Sequence, residues 1–143
     1  MSDIVNLKPE AVWRFFDEIT RIPRPSKKEE KIVAYLIDFA KSRSLEYRKD
    51  STGNVVIRKG ASPGMENRPV VVLQSHVDMV CEKRGDVNFH FDTDPIRTRV
   101  EDGWVRAEGT TLGADCGIGM AAELAVLDAD DLAHGPVEGL FTV

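Results

Sequence analysis

Apolar residues recur every three or four positions through Val12, Phe15, Phe16 and Ile19, a spacing that lines one face of an α-helix. Pro9 suits the first turn of that helix, and Pro23 and Pro25 end it. Trp13 and Phe16 are assigned to its packed side. A second stripe of Ile32, Val33, Leu36, Ile37 and Ala40 predicts a second helix. Ser26-Lys27-Lys28-Glu29 ahead of it has the form of a capping box, in which hydroxyl and carboxylate satisfy free N–H groups reciprocally. The pattern then shortens. Segments 45–49 and 54–58 predict strands around the turn Asp50-Ser51-Thr52-Gly53, and 60–68, with Gly60, Pro63 and Gly64, is a loop. The near-continuous apolar run 69–74 predicts a central strand covered on both faces. Segments 96–100 and 104–107 predict a hairpin turned by Asp102-Gly103. A helix rich in Ala, Leu and Met follows at 117–128, and a last apolar strand at 137–143.

Helix, strand pair, buried strand, helix and buried strand together predict an α/β sandwich with a mixed, largely parallel central sheet flanked by helices. A hydrophobic strand that runs to the last residue suggests a domain cut short. Hydrophobic residues make up 42% and charged residues 30% of the 143, which excludes a disordered or collagen-like chain. The net formal charge of −5 argues against a nucleic-acid partner, whose binding surfaces carry a basic patch. No apolar run reaches the ~18 residues that a membrane helix needs. The first residues lack the basic-then-apolar order of a signal peptide, so a cytoplasmic, membrane-free protein is expected. Cys81 and Cys116 form no C-x-x-C, which predicts neither a disulfide framework nor a zinc ribbon. Both are assigned as small buried residues, and His90 and His134, in polar turn-like segments, to the surface.

Two stretches carry candidate chemistry. In Gln74-Ser75-His76-Val77-Asp78, side chains two apart on an extended segment share a side, so His76 and Asp78 face one way and Val77 the other. A carboxylate beside an imidazole fixes its tautomer and raises its basicity, as for a metal-bound His. The plain alternative is a partly buried His with a local partner and no metal. In the second stretch, Gly113, Gly117 and Gly119 surround Asp115 just ahead of a helix. A helix N-terminus favours the ionised carboxylate that a metal requires, and equally favours Asp115 as an N-cap. Gly117-x-Gly119-x-x-Ala122 also fits a dinucleotide-binding fingerprint, but no apolar strand precedes it, so it is set aside.

These stretches, together with Phe-Asp-Glu-Ile-Thr-Arg-Ile-Pro-Arg-Pro-Ser near the start, Val-Val-Leu-Gln-Ser-His-Val-Asp-Met-Val, Phe-Asp-Thr-Asp-Pro-Ile, Gly-Thr-Thr-Leu-Gly-Ala-Asp and His134-Gly135-Pro136, resemble the N-terminal part of the aminoacyl-histidine dipeptidases. These form a branch of the co-catalytic zinc aminopeptidase/carboxypeptidase/aminoacylase superfamily. The resemblance implies two divalent metal ions, zinc with cobalt or manganese as alternatives, and small dipeptide substrates ending in His. It makes His76 a terminal ligand of one metal and Asp115 the bridge between the two. Asp78 becomes the catalytic carboxylate that orients the His76 ring without binding metal; no substrate-binding residue is assigned. Cys116 stands where the resemblance implies Asn. A strand like 139–143 would lead into an acidic pair holding the general base and a further ligand, with more ligands beyond an inserted lid that makes a homodimer. Residues 1–143 are therefore expected to be the N-terminal portion of the catalytic domain, without acidic pair or lid, and inactive alone. The alternative is a self-contained α/β binding or regulatory domain with no metal site.

Overall fold

The computed structural model describes residues 3–143. Its order is a short 3-10 turn (Asp3–Asn6), helices α1 (Glu10–Thr20) and α2 (Glu30–Ser42), and strands β1 (Glu46–Lys49), β2 (Val55–Lys59) and β3 (Val71–His76). The hairpin strands β4 (Thr98–Glu101) and β5 (Trp104–Ala107), helix α3 (Ala114–Asp128) and strand β6 (Val137–Thr142) follow. Each predicted helix and strand is present. The β1–β2 turn forms because the Asp50 carboxylate accepts hydrogen bonds from the backbone N–H groups of Thr52, Gly53 and Asn54. The β4–β5 turn forms because Asp102 and Gly103 both adopt positive φ, as a two-residue hairpin requires.

The main sheet has the order β1-β2-β6-β3, and β4-β5 stands apart as a two-stranded ribbon. The sheet is mixed: β3 runs parallel to β6, whereas β1–β2 and β2–β6 are antiparallel. Residues opposite one another in register share a face, so Val55 with Phe141 and Ile57 with Gly139 point the same way. That face is buried. Its side chains join Phe15, Phe16 and Ile19 of α1, Ile32, Leu36 and Phe39 of α2, and Met120, Leu124 and Leu127 of α3 in one core. Phe16 belongs to that core and Trp13 packs half-buried against it.

Two expectations about cover fail. β3 lies at the edge of the described sheet, and its Val71 and Val72 are about half exposed. Val71 and Val72 point to opposite faces, so the start of β3 is well covered on neither, and only Ser75 near its carboxyl end is buried. Ser26 does not cap α2 either. Glu29 is the N-cap residue and makes no side-chain capping bond; its carboxylate accepts the Lys27 N–H at 2.6 Å, and the Ser26 hydroxyl is used elsewhere.

Candidate metal centre

His76 is the last residue of β3. Val77 continues the parallel pairing by donating its N–H to the Thr142 carbonyl at 2.8 Å, and its side chain is fully buried. That buried Val turns His76 and Asp78 together toward the open side, as the extended alternation predicts. One Asp78 oxygen stands 2.9 Å from His76 Nδ1, and the other accepts a hydrogen bond from the Ser26 hydroxyl. Asp78 is thus held at both oxygens. With Nδ1 occupied, Nε2 of His76 faces outward.

Asp115 reaches the same point from the start of α3. The segment is assigned helical from Ala114, but Asp115 and Cys116 leave helical φ/ψ, so the regular helix begins at Gly117, where the sequence places it. The Asp115–Cys116 peptide is cis. Asp115 makes no capping bond; instead its Oδ1 lies 3.0 Å from His76 Nε2. Its side chain is 97% exposed, against 41% for His76. The imidazole and the carboxylate therefore converge on one solvent-reachable point beyond the carboxyl end of β3, where α/β sheets collect their sites.

Arg24 ties the two halves of the site together, a role the sequence does not reveal. It is 1% exposed and donates to the carbonyls of Val77 (3.1 Å) and Asp78 (3.0 Å) after β3 and to that of Gly113 before α3. Burial lowers its pKa to about 10, partly offset by Asp78, Cys81 and Cys116, so the guanidinium stays charged at neutral pH. Gly113 and Gly117 make room for it, since a Cβ at either would lie 2.6 or 2.7 Å from Arg24 Nη2. The only hints in the sequence are the glycine spacing and an Arg between two prolines.

Electrostatics follow from this arrangement. Burial alone would lower the His76 pKa, but hydrogen bonds to Asp115 and Asp78, with their charges, outweigh it and raise the pKa above the ordinary value. Burial alone would raise Asp78, yet the Ser26 and His76 hydrogen bonds bring it below the usual carboxylate range.

The donor set fits a divalent cation. Nε2 of a His whose Nδ1 is held by a carboxylate is a common metal ligand. Two ligands about 2.0–2.2 Å from a tetrahedral zinc stand roughly 3.3–3.5 Å apart, and the 3.0 Å between His76 Nε2 and Asp115 Oδ1 opens to that with small side-chain movement. Cys116 joins the group. Ligand atoms of His76, Asp115 and Cys116 all lie within 4.8 Å of one another, and no second cluster of three such residues occurs among the described residues. Cys116 and Cys81 are half-buried rather than buried, because Cys116 sits at the open start of α3. His90 is exposed, whereas His134 is half-buried, its Nδ1 2.7 Å from the Gly135 carbonyl.

No family model matches the chain. The cytosol non-specific dipeptidase of Escherichia coli (strain K12) is 47% identical over all 143 residues, which make up 30% of that protein's length. The aminoacylhistidine dipeptidase of Vibrio alginolyticus superposes with a TM-score of 0.97 at 50% identity, over 99% of this chain and 29% of its own. A Bacillus subtilis dinuclear metal-binding peptidase of the M20 family shares the fold, with a TM-score of 0.52 at 15% identity over 91% of this chain and 34% of its own. The chain spans about a third or less of the length of each.

Proposed function

We propose that the chain is part of a dipeptidase like the Escherichia coli and Vibrio alginolyticus relatives, and that His76, Asp78 and Asp115 form part of the metal centre of a peptide-bond hydrolase acting on small dipeptides, those ending in His included. The observation that carries this reading is the convergence of His76 Nε2 and Asp115 Oδ1 at 3.0 Å, with the ring pinned by Asp78 from behind. A regulatory domain without a metal would have no need to hold an imidazole from both sides by carboxylates at an open strand end.

Divalent ions, zinc first by donor type, supply Lewis acidity when bound: they acidify water and polarise the scissile carbonyl. The chain's own residues do the rest. Asp78 holds the proton on Nδ1 and leaves the Nε2 lone pair free to act as a terminal ligand. Asp115, exposed and with a second oxygen free of His76, suits a bridge between two ions. Ser26 and Arg24 keep Asp78 and the backbone of both segments in place, so the ligands are preorganised rather than gathered.

His76 and Asp115 alone do not complete two catalytic ions, each of which uses about three protein ligands. The reading therefore assigns the remaining ligands and the general base to the part of the relatives' length that these residues do not span, with a lid that makes a homodimer. Residues 1–143 are then the N-terminal portion of the catalytic domain, in a protein that works in the cytoplasm. Turnover of Xaa-His dipeptides by this chain in zinc- or cobalt-supplemented buffer is expected to be negligible. Zinc binding measured by calorimetry is expected for the chain and lost in His76→Ala. Robust turnover abolished by His76→Ala would overturn the division of the site, and zinc affinity unchanged in His76→Ala would overturn the site itself.

A further inference from the structure

Three donors of different chemistry meet at the mouth of the site: an imidazole, a carboxylate and the thiol of Cys116. We propose that, within residues 1–143, His76, Asp115 and Cys116 together hold one thiophilic divalent cation, with the Cys116 sulfur as a protein ligand beside the other two. The inference rests on the metal-centre reading above but adds a ligand that the resemblance does not supply, since there an Asn stands at this position.

The count favours it. A four-coordinate zinc takes about three protein ligands; within residues 1–143 His76 and Asp115 provide two, and Cys116 is the one further donor of the cluster. Geometry allows it. Ligands of one tetrahedral ion, with metal–nitrogen and metal–sulfur bonds of about 2.0–2.3 Å, stand roughly 3.3–3.8 Å apart. The donor atoms here are no farther than 4.8 Å from one another, so shifts on the order of an ångström bring them to that spacing. Gly119 makes room for the thiol, because a Cβ there would lie 2.7 Å from Cys116 Sγ. No hydrogen bond holds the thiol elsewhere among the described residues, and it is in no disulfide. Its backbone lies outside helical φ/ψ, ahead of the regular part of α3.

On binding, the S–H bond is replaced by a sulfur–metal bond and the proton leaves to solvent; nothing is oxidised. A nitrogen, oxygen and sulfur donor set selects zinc and cobalt over magnesium and manganese, which prefer all-oxygen surroundings. A chain that used only His76 and carboxylates would discriminate less.

The test is cobalt(II) titration of the chain, read in the near-ultraviolet for thiolate-to-cobalt charge transfer. Cys81→Ser serves as a control for the other thiol, and circular dichroism checks that each variant folds. The expected result is a charge-transfer band in the wild type and Cys81→Ser, absent in Cys116→Asn. Cobalt affinity should fall in Cys116→Asn by more than the ~10- to 100-fold that loss of a group bonded to a ligand costs. A second readout needs no folded Cys116 variant: zinc should protect Cys116 of the wild type from iodoacetamide, followed by mass spectrometry, and His76→Ala should abolish that protection. Cobalt binding with equal affinity in Cys116→Asn and no band in the wild type would overturn the sulfur ligand while leaving the His76–Asp115 centre standing. Cobalt that binds neither the wild type nor its variants would overturn both.

Discussion

At the scale of single residues, the role proposed for Asp78 is to act through His76 rather than on a metal. Its carboxylate supports the charged ring, and the raised His76 pKa means the ion pair stabilises the fold fully below about 6.5 and is lost as pH rises through the native value. Asp78→Asn removes a charge and one of the two carboxylates that hold the ring. The expected outcome is a His76 titration, followed by NMR, that moves to lower pH, together with a roughly 10- to 100-fold loss of zinc affinity. An unchanged titration would mean that Asp78 does not govern the ring. Arg24 is the other residue on which the site's geometry depends. Arg24→Met leaves one buried and two part-buried carbonyls without their donor, at about 1–3 kcal/mol each where water cannot reach them. A loss of about 3 kcal/mol or more in urea unfolding is expected, and a loss below about 1 kcal/mol would show that the clamp carries little.

Among the elements, α3 holds a titratable group that the site does not use. Glu123 is 4% exposed, and burial pushes its pKa up to about 7. Neither Ser75 Oγ nor Glu123 Oε2 has a hydrogen-bond partner among the described residues. Between pH 4.5, where an unfolded Glu ionises, and about 7, the native state binds more protons, so stability falls as pH rises through that range, by roughly 3 kcal/mol in all. Glu123→Gln is expected to flatten that slope in unfolding measured from pH 4.5 to 6, below the His76 window. A slope that survives the substitution would place its origin elsewhere. The elements themselves are legible because helix and strand periods are local properties of the sequence. Ser26 is misassigned because a hydroxyl three residues before a Glu looks the same whether it caps the next helix or reaches Asp78, 52 positions away. β3 is misjudged because an apolar run reports that a strand can be covered, not which elements do it. Arg24 is unreadable because its burial exists only once β3 and α3 have come together.

For the whole molecule, one open strand end brings together His76 and Asp115, which are 39 positions apart in the chain. His76 and Asp78 are visible in the sequence as a pair, because two-residue alternation fixes their common side. Asp115 is visible only as a glycine-flanked acid, and its partnership with His76 comes from the packing of α3 on β3. The E. coli relative is named a dipeptidase and is more than three times as long as this chain, which leaves length for the ligands that the proposed centre still requires. The most direct test is anomalous diffraction at the zinc edge from crystals of the chain soaked in zinc. The account predicts a peak about 2.0–2.2 Å from both His76 Nε2 and an Asp115 oxygen. A peak elsewhere, with His76 and Asp115 still bonded directly to each other, would contradict it.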